Sequence, residues 1–401
     1  MYRSLLTLLL APSLLLADWP GWRGPNHDGI SDEKDLPITW SATENVRWKA
    51  EIPGAGVSAP IVWKDRVFLT SSSGRSNEHL HLYCFDVAKG KSLWHRRFFG
   101  SEVSEGQFPQ GGMAVPTPAT DGKRVFALYG TGDLVCVDID GKPIWIRSLA
   151  QEYGVFRNRW GMASSPLLLG EMLVVQVDHH GKSYLLGVDA ATGRNRWRTI
   201  RDAAVNWTSP VAVRQEDRTT LVAAGTNTLK GYDAATGKEQ WSMSGMEMQC
   251  IPTPVVRGDR LWLAGGKDST SLCLSLRGDE KGPRVEWNVK TKGVGIPSPL
   301  CLGDQFYYAE DNGFVACLDA ATGKSLWRNR LNFKVHASPV AGAGKLYFAG
   351  MNGSVMVLKA GPKFEVLAKN DIGESIVASP ALSQGRIYLR GEKHLFCIGE
   401  R

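Results

Sequence analysis

The chain has 401 residues, of which 43% are hydrophobic, ample for a large core; 44 are Gly and 20 are Pro. Its net charge of +7 is spread along the chain with no dense Lys/Arg run, so nucleic acid is not an expected partner. The longest apolar run, Leu5 to Leu16, is broken by Thr7, Pro12 and Ser13 and is too short for a membrane span, which needs about 20 apolar residues.

In chain order, Arg3, the apolar run and the small Ala17 predict an export signal over residues 1–17 and a periplasmic or secreted protein. No Cys lies in that segment, so lipid attachment at a lipobox Cys is not expected. Residues 18–45 form an N-terminal arm. A strand around Val46, Arg47 and Trp48 follows.

From there a short phrase recurs. A small residue precedes Pro60, Pro118, Pro166, Pro210, Pro254, Pro299, Pro339 and Pro380, each at the head of an apolar run. A second phrase, Asp-Ala-Ala-Thr-Gly, begins at Asp189, Asp233 and Asp319 and leads to Trp197, Trp241 and Trp327; looser copies lead to Trp94, Trp145 and Trp287. Gly accepts positive φ in the turn, and Asp bonds the turn backbone. The Trp, early in the next strand, buries a large ring, so Trp48, Trp94, Trp145, Trp197, Trp241, Trp287 and Trp327 are expected to wedge between neighbouring units. Near Val366 the Trp is lost.

Each unit reads as four short strands, A to D, with A after the Pro and the Trp on D. Four-strand units of about 40–50 residues predict an all-β fold, an eight-bladed β-propeller of four-stranded antiparallel blades over residues 46–401. Closure is readable too. Trp48 precedes Pro60 by 12 residues, the spacing of Trp287 to Pro299, so it belongs to a D strand that no unit precedes. The last unit reaches strand C at Cys397 and stops, so the N-terminal strand is expected to complete it. A seven-bladed ring with a stray unit is the alternative.

Cys84, Cys136, Cys273, Cys317 and Cys397 share one slot in strand C, which Gly187 and Gly231 fill in other units. Equivalent slots in different blades lie too far apart for a disulfide. Together with Cys250 and Cys301, seven free thiols are expected.

The A–B and C–D turns share one face and are short. The B–C and D–A connections share the other. Most D–A gaps are 12 or 13 residues, but Trp94 to Pro118 spans 24 and Trp145 to Pro166 spans 21. These loops are expected to wall one side of the channel mouth, where variable loops bind. The first holds Phe98, Phe99, Glu102, Glu105 and Phe108; the second holds Tyr153, Phe156, Arg157, Asn158, Arg159 and Trp160; Trp207 follows in the next. Phe108, Tyr153, Phe156, Arg157, Arg159, Trp160 and Trp207 are the candidate binding residues, with loop packing the competing role for the same rings. Asp178-His179-His180 does not converge as metal ligands need to, and Glu310-Asp311-Asn312 reads as a turn; no metal site and no catalytic residue is assigned.

The Thr-Gly-Lys turn and its following Trp resemble the repeat of the pyrroloquinoline quinone (PQQ)-like propellers, and Trp19-Pro20-Gly21-Trp22-Arg23-Gly24-Pro25 resembles the lead-in of exported members. The resemblance implies two branches. One is the quinoprotein alcohol dehydrogenases, which hold PQQ and calcium; their adjacent Cys-Cys pair is absent here. The other is the cofactor-free scaffold, as in BamB-type propellers of outer-membrane protein assembly. The second is the expectation: a monomeric, non-catalytic scaffold without cofactor, docking a protein or peptide on its loop-rich face. A carbohydrate or small-ligand binding propeller is a third reading.

Overall fold

The computed structural model describes residues 18–102, 110–215, 218–246, 251–265, 270–279, 282–291 and 294–400. Eight antiparallel sheets follow one another along the chain. Blade 1 comprises Ile61–Trp63, Arg66–Ser73, His79–Asp86 and Ser92–Phe99 as strands A to D. Blades 2 to 7 span residues 119–148, 167–200, 211–246, 255–290, 300–330 and 340–371 in the same A-B-C-D order. Blade 8 takes strands A to C from Ala381–Ser383, Arg386–Arg390 and His394–Ile398, and its D strand from Val46–Glu51.

That last pairing closes the circle. Trp48 lies opposite Cys397 and Glu51 opposite His394. The inner strand of blade 8 also touches that of blade 1. No sheet is left with an unpaired terminal strand facing a missing unit, which is how a propeller avoids exposed edges. The eight-bladed ring therefore stands, and the seven-bladed alternative does not.

Strands B and C are largely buried, in blade 2 along nearly their whole length, because each blade face packs on a neighbour. The D strands alternate exposed and half-buried residues, as an outer strand with one packed face must. Each Trp-bearing D strand carries a register shift one residue before its Trp, for example between Ser92 and Trp94 against Cys84 and Phe85. A bulge re-aims the side chain beside it. Here it turns the indole toward the next blade. Trp48 donates Nε1–H to Val87 O at 2.8 Å, Trp94 to Ile139 O at 3.1 Å, Trp145 to Ala190 O at 3.1 Å and Trp197 to Ala234 O at 3.0 Å. Trp287 reaches Ala320 O at 2.9 Å and Trp327 reaches Gly361 O at 3.2 Å. The Trp48 ring also covers Gly90, whose φ of +67° and closeness to the indole leave no room for a Cβ.

The small slot in strand C has the same cause. It lies cross-strand from the Trp: Cys84 opposite Trp94, Gly187 opposite Trp197, Cys317 opposite Trp327. Blade 7 puts Ala368 where the others have Trp, and its slot is filled by Val357. Loss of the ring makes space for the larger aliphatic. Cys84, Cys136, Cys273, Cys301, Cys317 and Cys397 are all free and buried. Cys250 lies outside the described residues.

The arm runs across the face that bears the A–B turns. Trp19 bridges Val62 of blade 1, and Pro20 O accepts Thr120 N of blade 2 at 2.8 Å. Trp22 reaches Thr253 before blade 5, Arg23 donates to Ser298 O and Pro299 O of blade 6, and Ile30–Ser31 pairs in parallel with Ala341 and Gly342 of blade 7. The arm then passes under blade 8, where Glu33 accepts Gln384 N, before becoming that blade's D strand. Among the described residues no helix is long and apolar enough to cross a membrane.

Candidate functional site

The channel is built from the residues that precede each blade. The residue directly before the blade's Pro is Ala59, Thr117, Ser165, Ser209, Thr253, Ser298, Ser338 or Ser379. Their amides and hydroxyls form a relay. Ala59 N–H donates to Thr117 Oγ1 at 2.9 Å, Thr117 to Ser165 Oγ at 3.0 Å, Ser165 to Ser209 Oγ at 2.9 Å, and so on through Thr253, Ser298 and Ser338 to Ser379. This satisfies buried amides that face the axis, where no strand partner is available.

Two residues earlier in each connection lies a collar: Val57, Val115, Ala163, Trp207, Ile251, Ile296, His336 and Val377. Collar and hydroxyls enclose a cavity of about 370 Å³. Toward the arm it is lined by Trp22, whose Nε1 donates to Thr253 Oγ1 at 3.3 Å. The other end faces the loops and is flanked by Trp160, which is 49% exposed. The channel is thus a mainly apolar socket, with Trp22 of the arm toward one face and Trp160 toward the face with the longer loops.

The predicted binding residues separate into groups. Trp160 and Trp207 both line the socket. Trp207 is buried and donates Nε1–H to Gly161 O at 3.0 Å, while Arg159 lies over the Trp160 ring at 5.3 Å. The Arg157 side chain is exposed; its backbone N–H donates to His179 Nδ1 and its carbonyl accepts His180 N. Phe156 is a correction: at 1% exposure it packs on His179 beneath the loop, with Leu149 and Met162, so its ring anchors the loop and does not face a partner. Tyr153 is also displaced from the mouth. It sits at the outer strands of blades 2 and 3, where its hydroxyl accepts from Arg147 at 3.0 Å and Asn195 at 2.8 Å, under Arg198. Phe108 lies outside the described residues. Phe98 and Phe99 belong to the D strand of blade 1, because Ser92–Phe99 pairs with all of strand C; they are not loop residues.

Sequence reasoning missed four features. The helix Leu149–Tyr153 starts the second long loop, and its signal was present: Ser148 caps Gln151 N at 3.1 Å in a Ser-x-x-Gln pattern. The collar could have been found by stepping back three residues from each Pro, and the hydroxyl relay by reading the residue before it. The arm's contribution of Trp22 to the cavity lining had no sequence signal.

Charged residues near the mouth are mostly committed. Asp178 takes Arg201 at 2.9 and 3.2 Å, both side chains fully buried, and Arg201 also donates to Tyr232 Oη at 3.0 Å. Glu310 pairs with Arg328 at 2.7 and 2.8 Å. Asp311 accepts the amides of Gly295 and Ile296, and burial pushes its carboxyl up. Burial pushes the His336 imidazole down, against the attraction of Asp311. Among the described residues no three His, Cys, Asp or Glu side chains converge as metal ligands would.

A family model described as outer membrane protein assembly factor BamB matches residues 30–197, 181–293 and 273–398. The chain belongs to this PQQ-like β-propeller family. A curated relative, the outer membrane protein assembly factor BamB of Burkholderia pseudomallei, is 34% identical over 94 residues, covering 23% of this chain and 24% of that protein. Among solved structures, BamB from Moraxella catarrhalis matches 87% of this chain and 98% of its own at TM-score 0.65 and 16% identity. Quinohemoprotein alcohol dehydrogenase from Comamonas testosteroni matches 96% of this chain and 81% of its own at TM-score 0.69 and 12% identity. A europium-containing methanol dehydrogenase matches 93% and 89% at TM-score 0.68 and 12% identity. These structural likenesses establish the propeller fold.

Proposed function

We propose that this protein is an exported, non-catalytic scaffold of the bacterial cell envelope, serving outer-membrane protein assembly by docking a protein or peptide segment on its loop-rich face. The observation that carries the reading is the mainly apolar socket, lined by Trp22 of the arm and by the half-exposed Trp160 of the loop-rich face. A socket of about 370 Å³ lined by Val, Ile and Trp suits one or two apolar side chains of a partner. Arg159 and Trp160 at its rim are residue types that anchor interfaces. The family match to an outer membrane protein assembly factor supports the same reading.

The quinoprotein alternative fits this mouth poorly. PQQ is a tricarboxylate, and its calcium partner takes six to eight oxygen ligands. The collar offers one titratable group, His336, and the nearby Asp178 and Glu310 are paired with arginines. No step is assigned to that cofactor.

The test is site-specific photo-crosslinking from Trp160 in cells. The expected product joins the protein to a component of outer-membrane protein assembly, and replacing Arg157, Arg159 and Trp160 together with Ala should remove a crosslink placed at Val377 without changing the circular dichroism spectrum. An undiminished crosslink would reject the site. Tight retention of PQQ and calcium with alcohol oxidation would reject the non-catalytic reading.

A further inference from the structure

Blade 8 meets blade 1 unlike any other pair of neighbours. The hydroxyl relay runs from Ala59 to Ser379 and ends there, since Ala59 has no hydroxyl to accept a further amide. Arg390, the last residue of strand B in blade 8, crosses the seam instead. Its Nη1 donates to Ser58 O at 3.1 Å, Ser58 Oγ at 2.7 Å and Thr70 O at 2.8 Å, all in blade 1 or its lead-in. The residue is 2% exposed.

The other edge of the guanidinium is unused. Nε is buried with no acceptor, and Nη2 has none among the described residues. Nε and Nη2 form the side-on pair that takes a carboxylate through two parallel hydrogen bonds. Among the described residues no carboxylate pairs with this charge; the phenol of Tyr83 lies near it, and burial lowers the guanidinium to about 9. Other buried arginines differ. Arg201 has Asp178, Arg124 has Asp121, and Arg23 has Asp28 nearby. A buried unpaired charge is costly, and a fold retains one where something else supplies the counter-charge.

Arg390 lines a cavity of about 650 Å³ on the loop-rich face, between residues 51–57 and the turn 391–394. Gly56 lets the chain pass against Nη2, where a Cβ would collide. The nearby Glu374 is occupied by Lys49 at 3.1 Å, the amides of Lys393 and His394, and the His394 ring. Glu51 and Glu392 lie at the cavity wall with exposed side chains. Val57 and Val377 belong both to this cavity and to the apolar socket, so the two open side by side.

We propose that the cavity between blades 8 and 1 is a carboxylate subsite, in which the Nε/Nη2 edge of Arg390 binds an acidic group of the docked segment while an adjacent apolar side chain enters the socket. The carboxylate chemistry follows from Arg390 alone; assigning it to a peptide rests on the docking function proposed above.

The full chain should be titrated with N-acetylated, C-amidated Leu-Phe-Glu and Leu-Phe-Gln, and separately with sodium acetate against sodium chloride at equal ionic strength. The expected result is binding of the Glu peptide about tenfold or more tighter than the Gln peptide, as a charge-assisted pair gives. Arg390→Gln should abolish that difference, and acetate but not chloride should raise the wild-type melting temperature. The wild-type comparisons stand even where the variant does not fold. Equal binding of both peptides with no acetate effect overturns the subsite and leaves peptide docking intact. An acetate effect with neither peptide bound supports the subsite and overturns peptide docking. No response to any probe overturns both.

Discussion

Truncating Trp48 to Ala should destabilise the protein more than truncating Trp241, although both occupy the same position in the repeat. Trp48 is 7% exposed, donates its indole N–H to Val87 O at 2.8 Å, lies against Gly90 and contacts Tyr388 at 6.0 Å between ring centres. Trp241 is half-buried, and no indole hydrogen bond joins it to the described residues. Removing a buried Trp costs about 3–5 kcal/mol through lost burial and the cavity left behind. The indole bond contributes about 1 kcal/mol of that, and the orphaned Val87 carbonyl adds to it unless water reaches it. Trp48 also lies on the strand whose pairing with His394–Ile398 joins the first and last parts of the chain, and its ring packs on Tyr388 of that last part. We expect about 4 kcal/mol for Trp48→Ala and about 2 kcal/mol for Trp241→Ala, whose ring buries less surface. Trp48→Phe, which keeps an aromatic ring and loses the bond, should fall between. Urea unfolding followed by far-ultraviolet circular dichroism reads these as midpoint shifts at constant slope. A cost below about 1 kcal/mol for Trp48→Ala, or equal costs at the two sites, would refute the claim that the indole clamps the ring shut.

Arg201→Met should cost about 3–5 kcal/mol, because it strands the Asp178 carboxylate at 1% side-chain exposure; a melting temperature within a degree of wild type would contradict this. Burial pushes the thiols of Cys84, Cys136, Cys273, Cys301, Cys317 and Cys397 up to about 12, so at pH 8 they should ignore Ellman's reagent in the native protein and react on unfolding; rapid native reaction of several thiols would count against it. His27, His81, His95, His179 and His336 are all lowered, chiefly by burial, His81 to about 4. The unfolded chain takes up protons near pH 6.5 and the folded one does not, so their contribution is full above about pH 6.5 and is lost as pH falls toward 4. The melting temperature should decline through that window, less so in His81→Gln, and a flat profile from pH 7 to 4.5 would be the contrary result.

How much of this was legible follows from what repeats. Features enforced once per blade left repeated imprints, the Pro in all eight blades and the Trp with its small strand-C slot in seven, so they could be read together, and the odd position of Trp48 then fixed the closure. The slot's preference is explained only by cross-strand register, which sets Cys or Gly opposite Trp and Val357 opposite Ala368. The candidate site was less legible because it depends on loops that do not repeat. Composition placed Phe156 and Trp160 in one class, yet the loop's turn buries the first against His179 and leaves the second at the rim. Tyr153 went with them in sequence, but the short helix begun by Ser148 carries it outward to Asn195. Arg390 carried no signal at all, since its meaning comes from a seam between residues far apart in the chain.

The two faces of the ring are under different physical constraints, and this is why partner binding belongs to one of them. On the arm side, the C–D turns receive the indole of the preceding blade, and the arm ties blades 1, 2, 5, 6, 7 and 8 across the axis. A change of length or side chain there alters blade-to-blade contacts directly, so that face is occupied with holding the ring. On the opposite side, the D–A loops meet the axis through the collar and the hydroxyl relay within three positions of each Pro, and farther out through scattered contacts that differ from blade to blade, such as Arg157 N–H to His179 and Ser101 N–H to Asp133. The exposed residues farther out in those loops, such as Arg157, Arg159 and Trp160, can change without disturbing closure. The same side carries Trp160 at the socket and the Arg390 edge that has no partner among the described residues, so these groups coincide with the loops best placed to acquire an external partner.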